Sequence, residues 1–230
     1  MDLLVDVALE FGFTRVSSVL RSPVIFHCVP GAGKSTLIRE LINRDHRFIA
    51  FTAGEPDPPN LSGRAIKKYI GSIPKDRFVL LDEYNVLESI PDGVYACFGD
   101  PLQVAVQRNQ EAHFVCNFSR RFGSATAQFL RGLGFEIAAE GQDTVEIRDI
   151  YAVDPKGQIV FFERSIGCLL KAHSVEAKHI SEIRGQTFDH VTFVTESNDP
   201  RSDLPSAFQC LTRHRVSLLV LTPNATYSTA

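Results

Sequence analysis

A strong charge of either sign is missing from this sequence of 230 residues: 24 Lys and Arg against 27 Asp and Glu leave a formal net charge of −3. A domain that grips its partner mainly by neutralising phosphates is usually strongly basic, so any polyanion contact here must be local. CxxC pairs are also missing; the five cysteines, Cys28, Cys97, Cys116, Cys168 and Cys210, are scattered and odd in number. That pattern argues for reduced thiols and against a disulfide framework or a structural zinc. No apolar run approaches ~20 residues, and the opening MDLLVDVALEFGF carries acidic residues where a secretory signal needs basic ones. The chain is therefore expected to be soluble and not membrane-spanning. Internal repeats, low-complexity tracts and long linkers do not occur either.

What is present is a 44% hydrophobic composition in a chain long enough for one large α/β domain or two small ones. Short apolar runs recur at VIFHCV (24–29), FIAFTA (48–53), FVLLDE (78–83) and YACFGD (95–100), separated by helical patterns. Strands apolar on both faces and joined by crossovers predict a parallel sheet. The second half offers FVCNF (114–118), the helical SATAQFLRGLGF (124–135), and the strand candidates TVEIRDIYAV, QIVFFE, HVTFVT and SLLVLT. DPKG between two of these predicts a hairpin, and residues 197–206 carry loop signals. The first ~20 residues and the closing NATYSTA are expected to be peripheral.

One stretch carries chemistry. Strand VIFHCV runs into PGAGKST and then LIRELINRD, with Leu37, Ile38, Leu41 and Ile42 forming one apolar helical stripe. Strand, glycine-rich loop and helix in that order are the context a phosphate loop requires. Gly31 and Gly33 supply backbone angles other residues resist, so that the N–H groups of Pro30-Gly31-Ala32-Gly33-Lys34-Ser35-Thr36, proline apart, converge on phosphates at the positive end of a helix dipole. Lys34 is expected to bridge the β- and γ-phosphates and Ser35 to place its hydroxyl on Mg²⁺. Cys28 stands where the pattern usually has glycine, at a strand end that tolerates a small side chain. Asp82 and Glu83 end a neighbouring strand at the crevice where such sheets bind ligands; Asp82 suits the metal and Glu83 the attacking water. Gln103, after the turn GDP, is suited to the γ-phosphate or that water, although a plain turn explains it equally.

Three arginine-bearing segments follow: SRRFG (119–123), EIRGQTFDH (182–190) and CLTRHRVSLLVLT (210–222). In RAIKKYI (64–70), a helix would set Arg64, Lys67 and Lys68 on or near one face beside Tyr69, a modest platform for single-stranded nucleic acid or a solvated amphipathic helix.

The ordered series GAGKST, FTAGEP, LLDEY, FGDPLQ, SRRFG, RGQTFD and LTRHR resembles the motif set of superfamily 1 RNA helicases of positive-strand RNA viruses. In particular it resembles the triple gene block protein 1 family of flexible filamentous plant viruses, over residues 24–222. The resemblance implies two RecA-like parallel-sheet domains, a phosphate-loop NTPase with the nucleotide in the cleft between them. The domains are expected at 23–110 and 111–230, after an N-terminal extension, 1–22. It also implies ATP or another NTP with Mg²⁺, and arginine fingers at Arg121 and Arg213, with Arg215 a secondary phosphate contact. Thr52 of FTAGEP and Gly185 and Thr187 of RGQTFD correspond to motifs that touch the nucleic-acid strand. Family members are movement proteins that suppress RNA silencing. The partners so implied are single-stranded viral RNA, the coat protein at the virion end, small viral membrane movement proteins and further copies of the chain. The implied location is the host cytoplasm, with recruitment to plasmodesmata or the nucleus. A phosphate-loop kinase, and an RNA- and partner-binding protein with a vestigial ATPase, are the alternatives.

Overall fold

The computed structural model describes residues 2–103, 110–183 and 185–229, arranged in two compact units, Met1–Phe118 and Ser119–Ala230. Arg184 of EIRGQTFDH and residues 104–109, where the sequence places the start of a soft domain boundary, lie outside the described residues. The division between the units falls eight residues after the expected one (118 against 110), because FVC of FVCNF is a strand of the first sheet.

The first unit runs α1 (Asp2–Glu10), β1 (Thr14–Arg15), β2 (Val24–Cys28), α2 (Lys34–Arg44), β3 (Phe48–Thr52), β4 (Ile66–Lys68), β5 (Phe78–Asp82), β6 (Val94–Gly99) and β7 (Phe114–Cys116). Its sheet has the order β1-β7-β2-β6-β5-β3-β4, parallel except for the antiparallel pairing of β1 with β7. Strands β2, β6 and β7 carry Phe26, Phe98 and Phe114 in register, and the Phe26 ring lies between the other two at 4.5 and 4.7 Å. Aromatic neighbours across strands strengthen such a sheet beyond the area they bury. Leu37, Ile38, Leu41 and Ile42 of α2 are all buried, as the stripe predicts.

The N-terminal segment is not peripheral. Leu4, Val7 and Ala8, at helical i, i+3, i+4 spacing, are fully buried on α1, which packs on α2, and Phe13 meets Phe26 edge-on at 5.6 Å. Residues 64–70 are not a helix: Ile66–Lys68 is the edge strand β4, paired with β3. The β-branched Ile66 goes into the core while Lys67 and Lys68 stay exposed, and charged residues on a short edge strand discourage unwanted pairing.

The strand β8 (Phe118–Ser119) straddles the division and forms a ribbon with β9 (Ala138–Ala139) of the second unit, which also holds α3 (Ser124–Gly132), β10 (Thr144–Asp149), β11 (Gln158–Phe161), α4 (Arg164–Ala172), β12 (Lys178–His179), β13 (Phe188–Val194), α5 (Leu204–Leu211) and β14 (His214–Thr222). The five-stranded sheet β10-β14-β13-β11-β12 is parallel throughout. DPKG is therefore no hairpin: β10 pairs with β14 and β11 with β13, so the turn feeds a crossover. The C-terminal segment is anchored too, since Tyr227 is buried against Phe129 and Phe193. Four of the five thiols are buried and only Cys168, on α4, is exposed. Among the described residues no helix is long and apolar enough to cross a membrane.

Candidate functional site

In the first unit, β2 ends at the buried Cys28 and the chain turns through Gly31 (φ 80°) and Gly33 (φ 93°) into α2. These two glycines take the left-handed angles the loop needs, whereas Cys28 is not among the described residues with positive φ. Glycine is thus dispensable at position 28, where the Cys28 thiol faces the Gly99 carbonyl at 3.9 Å. Gly33 caps α2 and no side chain fills the cap, so the helix start keeps backbone N–H groups for an anion.

Lys34 heads α2 with its Nζ 2.8 Å from Asp82 Oδ1 and 2.5 Å from Glu83 Oε1. Burial disfavours the charge on Lys34, but Asp82 and Glu83 outweigh burial and hold its pKa well above the ordinary lysine value. Burial raises the Asp82 carboxyl, opposed by Lys34 and reinforced by Glu83. Glu83 has a left-handed backbone (φ 54°), a strained state for a non-glycine residue, and its N–H donates to Asp82 Oδ1 at 2.9 Å. Strained residues concentrate at functional sites. Ser35 and Asp82 are hard oxygen donors of the kind Mg²⁺ takes alongside phosphate oxygens and water. Among the described residues no group of three or more His, Cys, Asp or Glu gathers as a metal cage.

Behind this cluster lie residues that the sequence did not single out. Asp100 is buried and accepts from Leu102 N and from Gln103 Nε2, both at 2.9 Å, so that it fixes the amide of Gln103. Burial pushes its carboxyl up to about 6. The Tyr84 hydroxyl is 2.8 Å from His27 Nε2 and its ring packs against Gly99, where an added Cβ would lie 2.9 Å from Tyr84 Cε1 and from Asn85 Oδ1. Burial lowers the pKa of His27 and lifts that of Tyr84 to about 12. Asp100 and Tyr84 were visible in the motifs FGDPLQ and LLDEY; that Asn85 Nδ2 donates to the Asp100 carbonyl at 2.6 Å and that Tyr84 meets His27, 57 residues away, was not.

Thr52 is buried opposite Asp82 on β3, and its hydroxyl accepts from Gly54 N at 2.9 Å, closing a local turn. Lys68 donates to the Ala53 and Gly54 carbonyls and Arg64 to the Asn43 carbonyl, while Lys67 is exposed. In the second unit Gly185 (φ 77°) and Thr187 precede β13. Arg121 and Arg213 belong to segments that touch: Arg121 Nη1 donates to Thr212 O at 2.9 Å, and the buried Arg213 extends Nη2 to Gln209 Oε1 at 3.3 Å. Arg215 is exposed beside Asp189 at 3.5 Å.

Parallel sheets with a glycine loop, a lysine and two strand-end carboxylates define an α/β phosphate-loop protein of the RecA-like NTPase fold. The chain belongs to the viral superfamily 1 RNA helicase family, whose core-domain model matches residues 24–222, and within it to the TGBp1 proteins. It is 48% identical over 229 residues to the movement and silencing protein TGBp1 of Chrysanthemum virus B, and 50% over 228 residues to that of Lily symptomless virus, covering 99% of each chain in both cases. Among solved structures it is similar to the arterivirus nonstructural protein 10 helicase in complex with DNA, at a TM-score of 0.55 and 17% identity, covering 95% of this chain and 56% of that one. That likeness concerns the fold.

Proposed function

We propose that the chain is an ATP-hydrolysing, RNA-binding motor that serves viral cell-to-cell movement and suppresses host RNA silencing. The observation that carries the reading is Lys34 at the uncapped start of α2, within 2.8 Å of Asp82 and 2.5 Å of Glu83. A lysine, a serine and two carboxylates gathered there are the parts for holding a triphosphate and activating water. Lys34 is assigned to the β- and γ-phosphates, with the backbone of residues 30–36 cradling them. Ser35 and Asp82 would hold Mg²⁺, which supplies charge neutralisation at the phosphates. Glu83 is assigned to orient the attacking water and accept its proton, and Gln103 to hydrogen-bond the γ-phosphate. Arg121 and Arg213 are assigned to the charge that develops in the transition state, where such a residue contributes ~10³ to 10⁵ in rate; Arg215 is a secondary phosphate contact. Thr52, Arg64, Lys67, Lys68, Gly185 and Thr187 are assigned to the RNA strand.

Single-stranded viral RNA, the virion end, the small membrane movement proteins and other copies of the chain are the proposed partners. The names of the relatives, movement and silencing proteins, support the biological role. The host cytoplasm, plasmodesmata and nucleus are its proposed places of action. Lys34→Ala is expected to abolish NTP hydrolysis in the purified protein, and single-stranded RNA to stimulate the wild type. Full turnover in Lys34→Ala would overturn the site, and phosphorylation of a small hydroxyl compound would point to a kinase instead. Silencing suppression that survives Lys34→Ala would separate that role from the motor.

A further inference from the structure

Two of the three arginine-bearing segments of the second unit, SRRFG and LTRHR, are fastened by a buried carboxylate, Asp143, that lies in none of the motifs. Asp143 and His214 have side chains with no exposed surface. Asp143 Oδ1 accepts from Ala125 N at 2.9 Å and from Thr126 N at 3.4 Å, capping α3 from a distant loop. His214 Nε2 lies 2.8 Å from Thr126 Oγ1 and 3.5 Å from Asp143 Oδ2, and its ring stacks on Phe122 at 5.8 Å. Gly123 completes the arrangement. Its φ of −99° suits any residue, but a Cβ there would lie 2.7 Å from both Asp143 Oδ1 and Gly141 O. The glycine of SRRFG is thus required by the space that Asp143 occupies. Burial works to raise the Asp143 carboxyl, yet the adjacent His214 ring, Thr126 and the backbone N–H groups it accepts from outweigh that and hold it at about 2.

We infer that Asp143, through Thr126 and His214, is a positioning residue that ties SRRFG to LTRHR and presents Arg121 and Arg213 as one preset pair. Arg121 already donates to the carbonyl of Thr212, next to Arg213, so a shift of either segment moves both guanidinium groups. Displacing such groups by about 1 Å can cost on the order of 100-fold in rate. The inference rests on the proposed hydrolysis of ATP.

The test measures steady-state ATP turnover of the full-length chain for wild type, Asp143→Asn, Thr126→Val and Arg121→Ala, and for Asp143→Asn in the Arg121→Ala background. Asp143→Asn is expected to lower kcat roughly 10- to 100-fold while leaving KM for ATP within about threefold, and the loss in the Asp143→Asn Arg121→Ala double variant is expected to fall well short of the product of the two single losses. Thr126→Val, which keeps nearly the same shape and exchanges the hydroxyl for a methyl group, is expected to move kcat the same way and covers the case in which Asp143→Asn does not fold. Wild-type turnover matched within about twofold by folded Asp143→Asn or Thr126→Val, even with a lowered melting temperature, would overturn the inference alone, as would independent effects with Arg121→Ala. A wild-type chain without turnover would overturn the motor reading and this inference with it.

Discussion

Single residues in the first unit are held by space and by charge, and the two give different tests. Gly99 is fixed by space: an added methyl would press on the Tyr84 ring and on Asn85 at 2.9 Å. Gly99→Ala is expected to destabilise the protein by about 1–3 kcal/mol in urea unfolding, and to reduce turnover because Tyr84 adjoins Glu83. At Asp100 the test comes from the ionisation of a buried carboxyl. Its folded pKa of about 6 stands above the ordinary 3.8, so the unfolded chain loses this proton first. The contribution of Asp100 to stability should therefore fall as pH rises from about 4 to about 6 and level off above that, by on the order of 3 kcal/mol. Asp82 shifts in the same direction and His27 in the opposite one, so the effect is read as the difference between the wild-type and Asp100→Asn profiles. Urea midpoints across pH 4 to 7 would show this, and identical profiles for the two proteins would refute it. Asp143, held at about 2, has the opposite sign: its contribution is present above pH ~4 and lost as pH falls toward 2.

Among the elements, those announced by periodicity were legible and those decided by distant partners were not. The stripe of α2 and the β-branched runs of β2, β3, β5 and β6 appear where the sequence places them. The phosphate loop was readable because its parts are contiguous, whereas Asp143 caps α3 across 18 residues of chain and leaves no local trace. A seven-residue stretch such as RAIKKYI is too short for period 2 and period 3.6 to be told apart. The turn at DPKG gave no hint that both flanking strands pair elsewhere. At the N-terminus, position near the chain end was a poorer guide than spacing, since Leu4, Val7 and Ala8 make one buried face of α1. Leu4→Ala is accordingly expected to cost about 2–5 kcal/mol in chemical denaturation. A loss below about 0.5 kcal/mol, the level of a surface substitution, would return α1 to the periphery.

At the level of the whole molecule, the proposed reaction draws on residues from both units: Lys34, Asp82, Glu83 and Gln103 from one, Arg121 and Arg213 from the other. Arg213→Ala is expected to leave binding of a fluorescent ATP analogue within about threefold while lowering RNA-stimulated turnover by ~10³ or more. Turnover unchanged in that variant would remove Arg213 from the mechanism. The distribution of thiols offers a handle for watching the protein at work. With four sulfurs enclosed, a maleimide dye should attach to the native chain once, at Cys168, and up to five times after denaturation. The wild-type sequence is thus already suited to single-fluorophore experiments on a strand of RNA, with no engineered cysteine and none removed.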